Sequence, residues 1–263
     1  MSEKKSSWRE SNKRKLLEHP LKKAFMVLAP RSTQLSTTYR NGTKVVGLNR
    51  KGFGGRGLYL FGEKQEFELD VLEEFLGPGD NFIDVGANVG IYSMKAASLV
   101  GDKGMVLSFE PYPFTAHRLL ENSLINGFKN VRIRVCCASD VDGSTLFYLA
   151  GNMPNSFSID PKPDCGVFNV ATARIDTVVK NEGMEALTLI KIDAEGAENK
   201  VLAGSANVID RFKPTIILEA TISSFEVPEG YARYRIPNSI NRILIHPSSK
   251  HFQLVDRLKL ASC

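Results

Sequence analysis

The chain has no pair of cysteines in a C-x-x-C arrangement, and its four histidines, His19, His117, His246 and His251, are scattered. That excludes a zinc ligand set of ordinary spacing, and no metal is expected. The four cysteines, Cys136, Cys137, Cys165 and Cys263, read as free thiols of a reducing compartment, the first two as small buried hydrophobes on one strand. There is no long hydrophobic run either. Phe25-Met26-Val27-Leu28-Ala29 is too short to span a bilayer and too deep for a usual signal peptide, so the expectation is a cytoplasmic protein. Nor does a basic stripe cover the body. Of the net charge of +5, Lys4, Lys5, Arg9, Lys13, Arg14, Lys15, Lys22 and Lys23 crowd the first stretch, and the remainder is near neutral. A nucleic-acid partner is therefore not expected. The basic segment has a functional reading, weak contact with a membrane surface or a partner. Its plainer reading is a solvated helix that packs Trp8, Leu16, Leu17 and Leu21 on the body.

What the 263 residues do contain is an ordinary core composition, 43% hydrophobic and 24% charged, sized for one α/β domain with additions. Residues 1–62 are expected to form a basic helix and a β-hairpin extension, and residues 63–263 the main domain. Within the extension, Lys44–Leu48 and Leu58–Phe61 read as two strands joined by the glycine-rich turn Gly52–Gly57, which lacks the Lys-Ser/Thr of a P-loop and opens no helix. From Glu66 the apolar period becomes helical up to Gly77-Pro78-Gly79.

A regular alternation follows: strand Asn81–Val85, helix Ile91–Val100, strand Met105–Phe109, helix Thr115–Asn126, strand Val131–Cys137. Later come strand Leu187–Ile192, helices over Ala197–Phe212 and strand Thr215–Glu219. Continuous apolar strands separated by helices predict a Rossmann-like, doubly wound, mostly parallel sheet of seven strands. Between Ser139 and Ala186 the alternation breaks into a β insertion, with strands Ser144–Leu149 and Phe168–Ala173 around the loop 152–166. Tyr231–Ile236 and Arg242–His246 read as two late strands, and 221–230 as a segment without a helix.

In such a sheet, ligands sit at the carboxyl ends of the strands where the strand order reverses. The loop there is Asp84-Val85-Gly86-Ala87-Asn88-Val89-Gly90. Gly86 and Gly90 let backbone approach a ligand, and the next helix offers its N-terminus. The spacing is G-x-x-x-G and not the G-x-G-x-x-G of dinucleotide enzymes. The second strand ends at Glu110, about twenty positions on, where an acid is placed to bind both hydroxyls of a ribose. Loop and acid together point to an adenosine ligand. Asp193, Glu195 and Glu219 converge from two further strand ends, and carboxylates gathered at one cleft favour a cationic ligand such as a sulfonium. The plainer role for Glu195 or Glu198 is to cap the following helix.

The chain resembles the FkbM-type methyltransferases. The resemblance rests on Gly52–Gly57, Gly77-Pro78-Gly79-Asp80, Asp84–Gly90, Phe109-Glu110-Pro111, Asn126-Gly127, Ala138-Ser139-Asp140 with Gly143, and Arg174–Val178. It continues through Lys191-Ile192-Asp193-Ala194-Glu195-Gly196-Ala197-Glu198, Val201–Ser205, Lys213-Pro214 and Leu218-Glu219. It implies S-adenosylmethionine as cofactor and O-methylation of a hydroxyl on a sugar, glycoside or polyketide-like natural product, without a required metal. By that resemblance Asp84, Gly86, Asn88, Gly90 and Glu110 take the cofactor, Ser139 lies by the adenine, and Asp193 lies near the methyl group. The base that removes the acceptor proton is then Asp193, with Glu195 or Glu219 in reserve. Three alternatives stay open: an amine or nucleic-acid methyltransferase, a nicotinamide dehydrogenase and a non-catalytic partner protein that binds S-adenosylmethionine. The first lacks an Asp/Asn-Pro-Pro-aromatic run, and the second is disfavoured by the glycine spacing.

Overall fold

A strand covered on both faces needs no alternation, and the central strands carry none. β3 (Asn81–Val85), β4 (Met105–Phe109), β10 (Leu189–Ile192) and β11 (Thr215–Leu218) are buried along nearly their whole length. The computed structural model describes residues 19–66, 68–150, 157–158, 165–219, 225–237 and 239–263. These strands, with β5 (Val131–Arg134), pair in parallel, and β10 lies beside β3, so the chain reverses its direction of travel across the sheet between those two strands. Antiparallel strands β13 (Arg242–Ile245), β12 (Ala232–Arg235) and β14 (Ala261–Ser262) extend the β11 edge. The sheet has eight strands, not the seven expected. The eighth, β14, is two exposed residues long and has no apolar pattern to announce it.

Helices cover both faces. On one, α4 (Ile91–Val100) is buried on nearly every side, beneath α3 (Glu68–Phe75) and the N-terminal segment. On the other, α6 (Ile175–Asn181), α7 (Glu198–Gly204) and α8 (Ala206–Phe212) pack Val178, Val201 and Ile209 against Ile83, Ile190 and Ile216. Between β4 and β5 runs α5 (Pro113–Ile125), with proline in its first turn, where no amide hydrogen is needed.

The extension departs from expectation. The hairpin is β1 (Gln34–Thr38) with β2 (Lys44–Leu48), turning at Gly42, while Leu58–Phe61 belongs to helix α2 (Gly55–Phe61). The glycine cluster therefore does open a helix. Close approach is why it is glycine: a Cβ on Gly47 would lie 2.3 Å from the Gly55 nitrogen, and one on Gly54 2.2 Å from Val89 Cγ2. Tyr39, Val45 and Leu58 share one apolar cluster with Leu72, Phe75 and Val89, so this segment is packed into the body. Asn122 Nδ2 donates to the carbonyls of Val46 and Val89 at 3.0 and 2.8 Å, tying hairpin to cofactor loop.

Helix α1 (Pro20–Leu28) precedes the hairpin, with Met26 buried and Leu21, Val27 and Leu28 exposed. Most of the basic segment, residues 1–18, lies outside the described residues. Among the described residues no helix is long and apolar enough to cross a membrane.

The expected strand over Val131–Cys137 is two strands. β5 ends at Arg134, and β6 (Cys137–Ala138) joins a separate four-stranded sheet, parallel to β9 (Cys165–Ala173). In that sheet β7 (Gly143–Ala150) pairs antiparallel with β9 and with β8 (Phe157–Ser158). This is the expected β insertion. Of the loop expected over 152–166, residues 152–156 and 159–164 lie outside the described residues, as do residues 221–224 of the segment expected over 221–230.

Candidate functional site

The loop after β3 is held open by backbone bonds that only its residue types permit. Gly86 and Ala87 both donate their amides to the Phe109 carbonyl at 3.0 Å, and Gly86 has φ +73°. A Cβ there would sit 2.0 Å from the carbonyl oxygen of Asp193, so β3 and β10 meet at this point only if residue 86 is glycine. Asn88 takes the left-handed conformation, φ +51°, which asparagine tolerates better than most residues. Its side chain donates to the Gly52 carbonyl at 3.0 Å and accepts from the Val89 amide at 2.8 Å. The glycine-rich segment before α2 is thereby laid against the loop. Gly90, φ +88°, starts α4 and faces Leu119; it lines no cavity.

Glu110, at the tip of β4, accepts from the Asn88 amide at 2.7 Å, the Tyr112 amide at 2.9 Å and Thr115 Oγ1 at 2.9 Å. Burial raises its pKa to about 6 in spite of those donors. It lines a cavity of about 330 Å³ with Gly86, Asn88, Phe109, Ala138, Ser139 and Phe147. Thr172 also lines it, and its buried Oγ1 has no hydrogen-bond partner among the described residues. Cys136 and Cys137 face the same space. Burial pushes their thiols up to about 11 and about 12, so neither is a nucleophile near neutral pH.

A second cavity, of about 610 Å³, adjoins the first, and the two share Gly86, Asn88 and Asp193. It is lined by Arg50, Lys51 and Arg56 together with Glu66, Glu68, Tyr92, Lys191 and Glu219. Lys191 is the residue that sequence reasoning missed. Its ammonium lies 3.2 Å from Asp193 Oδ2, 3.8 Å from Asp84 Oδ1 and 4.6 Å from the centre of the Tyr92 ring. Burial works against its charge, yet Asp193, Asp84 and Glu219 together hold its pKa above the usual lysine value. The carboxylates gathered here thus already have a cation of their own, which overturns the expectation that only a cationic ligand could relieve their repulsion. A lysine between isoleucines in a fully buried strand was the available signal.

The expected site residues divide among three places. Glu110 and Ser139 line the first cavity, Glu219 the second, and Asp193 both, with Gly86 and Asn88 at the junction. Glu195 is exposed, with φ +49°, and lines the first cavity, away from Glu219. Asp84 lines neither. It is fully buried, bonded to Ser93 Oγ at 2.6 Å, and burial pushes its carboxyl above the ordinary range while Lys191 opposes the rise. Its service to the site is to hold Lys191. Burial would raise Asp193 too, but Lys191, with a hydrogen bond shared between Asp193 and Glu219, holds it below the ordinary carboxylate value. Glu198 accepts from the Gly196 amide at 3.0 Å at the start of α7, the plainer role expected of it. His246 packs against Tyr231 and lines neither cavity.

Two adjoining cavities at the carboxyl ends of β3, β4 and β10, with a glycine loop and a buried acid on successive strands, define an α/β domain of the methyltransferase class. The FkbM methyltransferase domain matches residues 84–241, more than half of the chain, and the chain belongs to that family. It is 29% identical over 159 residues to the 31-O-demethyl-FK506 methyltransferase FkbM of Streptomyces tacrolimicus, a match covering 49% of this chain and 60% of that one. With the hexuronic acid methyltransferase AglP of Haloferax volcanii the identity is 27% over 188 residues, 70% of this chain and 74% of that one. A crystal structure of methyltransferase FkbM from Methylobacillus flagellatus aligns with a TM-score of 0.38 at 19% identity, covering 63% of this chain and 43% of that one.

Proposed function

We propose that the protein is an S-adenosylmethionine-dependent O-methyltransferase whose acceptor is a hydroxyl of a sugar, glycoside or polyketide-like molecule. The observation that carries this is the pair of cavities meeting at Gly86, Asn88 and Asp193, one closed on Glu110 and the other walled by charged groups. The residues present fit the cofactor. Glu110 keeps a free lone pair on Oε2 for a ribose hydroxyl, Thr172 Oγ1 is a buried hydroxyl without a partner among the described residues, and Phe109, Ala138 and Phe147 offer an apolar wall for adenine. When bound, the cofactor supplies an electrophilic methyl group on a sulfonium.

The protein's own part is chiefly positional, since methyl transfer needs acceptor oxygen, methyl carbon and sulfur in line. Asn88 and Gly86 hold the junction between the cavities. Asp193, kept ionised by Lys191, presents negative charge beside that junction, where a sulfonium is favoured. The acceptor then enters from the larger cavity. The relatives' names, a demethyl-FK506 methyltransferase and a hexuronic acid methyltransferase, support hydroxyl-rich natural products and sugars as the acceptor class.

Isothermal titration with S-adenosylmethionine, S-adenosylhomocysteine and NAD is the first test. Binding of the first two and not the third is expected; no measurable affinity for either adenosyl ligand would sink the proposal. Release of S-adenosylhomocysteine is then measured against methyl glycosides, methyl glucuronides and macrolide alcohols, with turnover expected on at least one class. Cofactor binding without turnover on any of them favours a different acceptor or a non-catalytic binder.

A further inference from the structure

The acceptor cavity holds a second pair of carboxylates, outside every motif discussed above. Glu66 follows the 3-10 turn Gly62–Gln65, and Glu68 opens α3 two residues later. Both line the cavity, and both reach the hydroxyl of Tyr92, at 3.0 Å from Glu66 Oε2 and 3.3 Å from Glu68 Oε2. Their other oxygens differ. Glu68 Oε1 accepts from Ser239 Oγ and from Asn241 Nδ2, the latter at 2.8 Å. Glu66 Oε1 has no donor among the described residues.

Resting on the O-methyltransferase reading, we infer that Glu66 is the group that takes the proton from the acceptor hydroxyl, with Tyr92 and Glu68 holding it in position. The phenol has one hydrogen to share between two carboxylates. That hydrogen goes to Oε2 of Glu66 or to Oε2 of Glu68, which leaves Glu66 Oε1 as the oxygen open to an incoming proton. Both oxygens of Glu68 already have donors, whereas Glu66 Oε1 has none among the described residues.

The titratable groups facing Glu66 are Glu68 from α3, Tyr92 from α4, Tyr39 after β1, Lys191 from β10 and Asp193 just beyond it, with Arg50, Lys51, Arg56 and Glu219 lining the same cavity. Burial and the Glu68 charge raise Glu66 to about 7, against the Tyr92 hydrogen bond and Lys191. A base with its pKa near the working pH is the efficient kind. Asp193, held down by Lys191 and Glu219, is the weaker acceptor of a proton, and Glu195 lies on the cofactor cavity. In the balanced step the acceptor O–H bond breaks and its proton goes to Glu66 Oε1. The oxygen's electron pair forms the O–CH₃ bond, and the C–S pair returns to sulfur as the sulfonium becomes a neutral thioether.

Carbon-13 NMR of protein labelled at the glutamate carboxyls is expected to show a resonance titrating near pH 7 that Glu66→Gln removes. Tyr92→Phe, which deletes a donor to the ionised form, is expected to move that midpoint upward. On a panel acceptor, Glu66→Gln is expected to lower kcat by about 10²- to 10⁴-fold, to abolish the acidic limb of the kcat/KM profile, and to leave S-adenosylmethionine affinity intact. Absence of a titration that Glu66→Gln removes overturns the inference, as does wild-type kcat with an unchanged acidic limb in that variant. If S-adenosylmethionine binds but no panel acceptor turns over, the acceptor class proposed above fails, and the titration alone decides for or against Glu66. If Glu66→Gln loses cofactor binding with its fold, the Tyr92→Phe midpoint decides.

Discussion

The two cavities each hold a buried glutamate, and the two are built to opposite ends. Glu110 is surrounded by three donors on its own and the neighbouring loop, which fix both oxygens and leave one lone pair, on Oε2, without a donor. Glu66 has one donor, a negative neighbour in Glu68, and an oxygen with no donor among the described residues. Burial raises both, Glu110 to about 6 and the less deeply buried Glu66 to about 7. Donors convert a buried carboxylate into a fixed recognition group; their scarcity leaves one that exchanges protons. Lys191 stands between these regimes, its charge spent on Asp84 and Asp193 and so not available to pull Glu66 down to the ordinary range.

Breaking that balance at its centre has the largest expected effect. Lys191→Met leaves Asp84 buried without its cation, with an oxygen that has no hydrogen-bond partner. The expected loss is about 3–5 kcal/mol of stability, read by chemical denaturation at neutral pH. Part should return as pH falls, because a protonated Asp84 needs no counter-charge; a loss that stays the same at every pH would refute this role.

Next comes the junction. Gly86→Ala adds about 1–2 kcal/mol of left-handed backbone strain to a collision with the Asp193 carbonyl, and is expected to abolish S-adenosylmethionine binding in titration calorimetry.

The comparison sharpens with Glu110→Ala. Losing charge-assisted hydrogen bonds to a ribose should weaken S-adenosylmethionine by about tenfold to a hundredfold, whereas Glu66→Gln should not. In the wild type, affinity should fall as pH drops through about 6, where Glu110 takes up a proton. Equal effects of the two substitutions on affinity would erase the distinction.

The smallest effect is on thermal stability. Glu66 has a folded pKa raised above its unfolded value, so its stabilising contribution is complete below pH about 4.5 and is lost as pH rises through about 7. Melting temperature measured across that window should decline in the wild type and decline less in Glu66→Gln.

The cavity lined by Glu110 was legible in the sequence because its parts are local. Asp84–Gly90 is one turn, Glu110 ends the adjacent strand, and both sit where periodicity alone puts the strand ends. The larger cavity was not. Glu66 and Glu68 look like ordinary acids in the first turn of a helix, and Tyr92 looks like one more apolar residue of α4. Ser239 and Asn241 come from a loop more than 170 positions beyond Glu68. The glycine cluster misled for a similar reason. Gly47, Gly54 and Gly55 answer to backbone and side chains brought against them by packing, so their spacing gives a turn signal without saying that α2 follows.

Hydrophobic periodicity and turn chemistry, both properties of near neighbours in the chain, were sufficient to determine the parallel sheet, its flanking helices, the β insertion and the glycine turn after β3. Only the folded molecule decided the eighth strand, the position of Lys191 between two carboxylates, and the sharing of one phenol by Glu66 and Glu68. Those depend on charges desolvated together by segments far apart in sequence, and the strength of such interactions is set by distance and burial in three dimensions, which the order of residues does not contain.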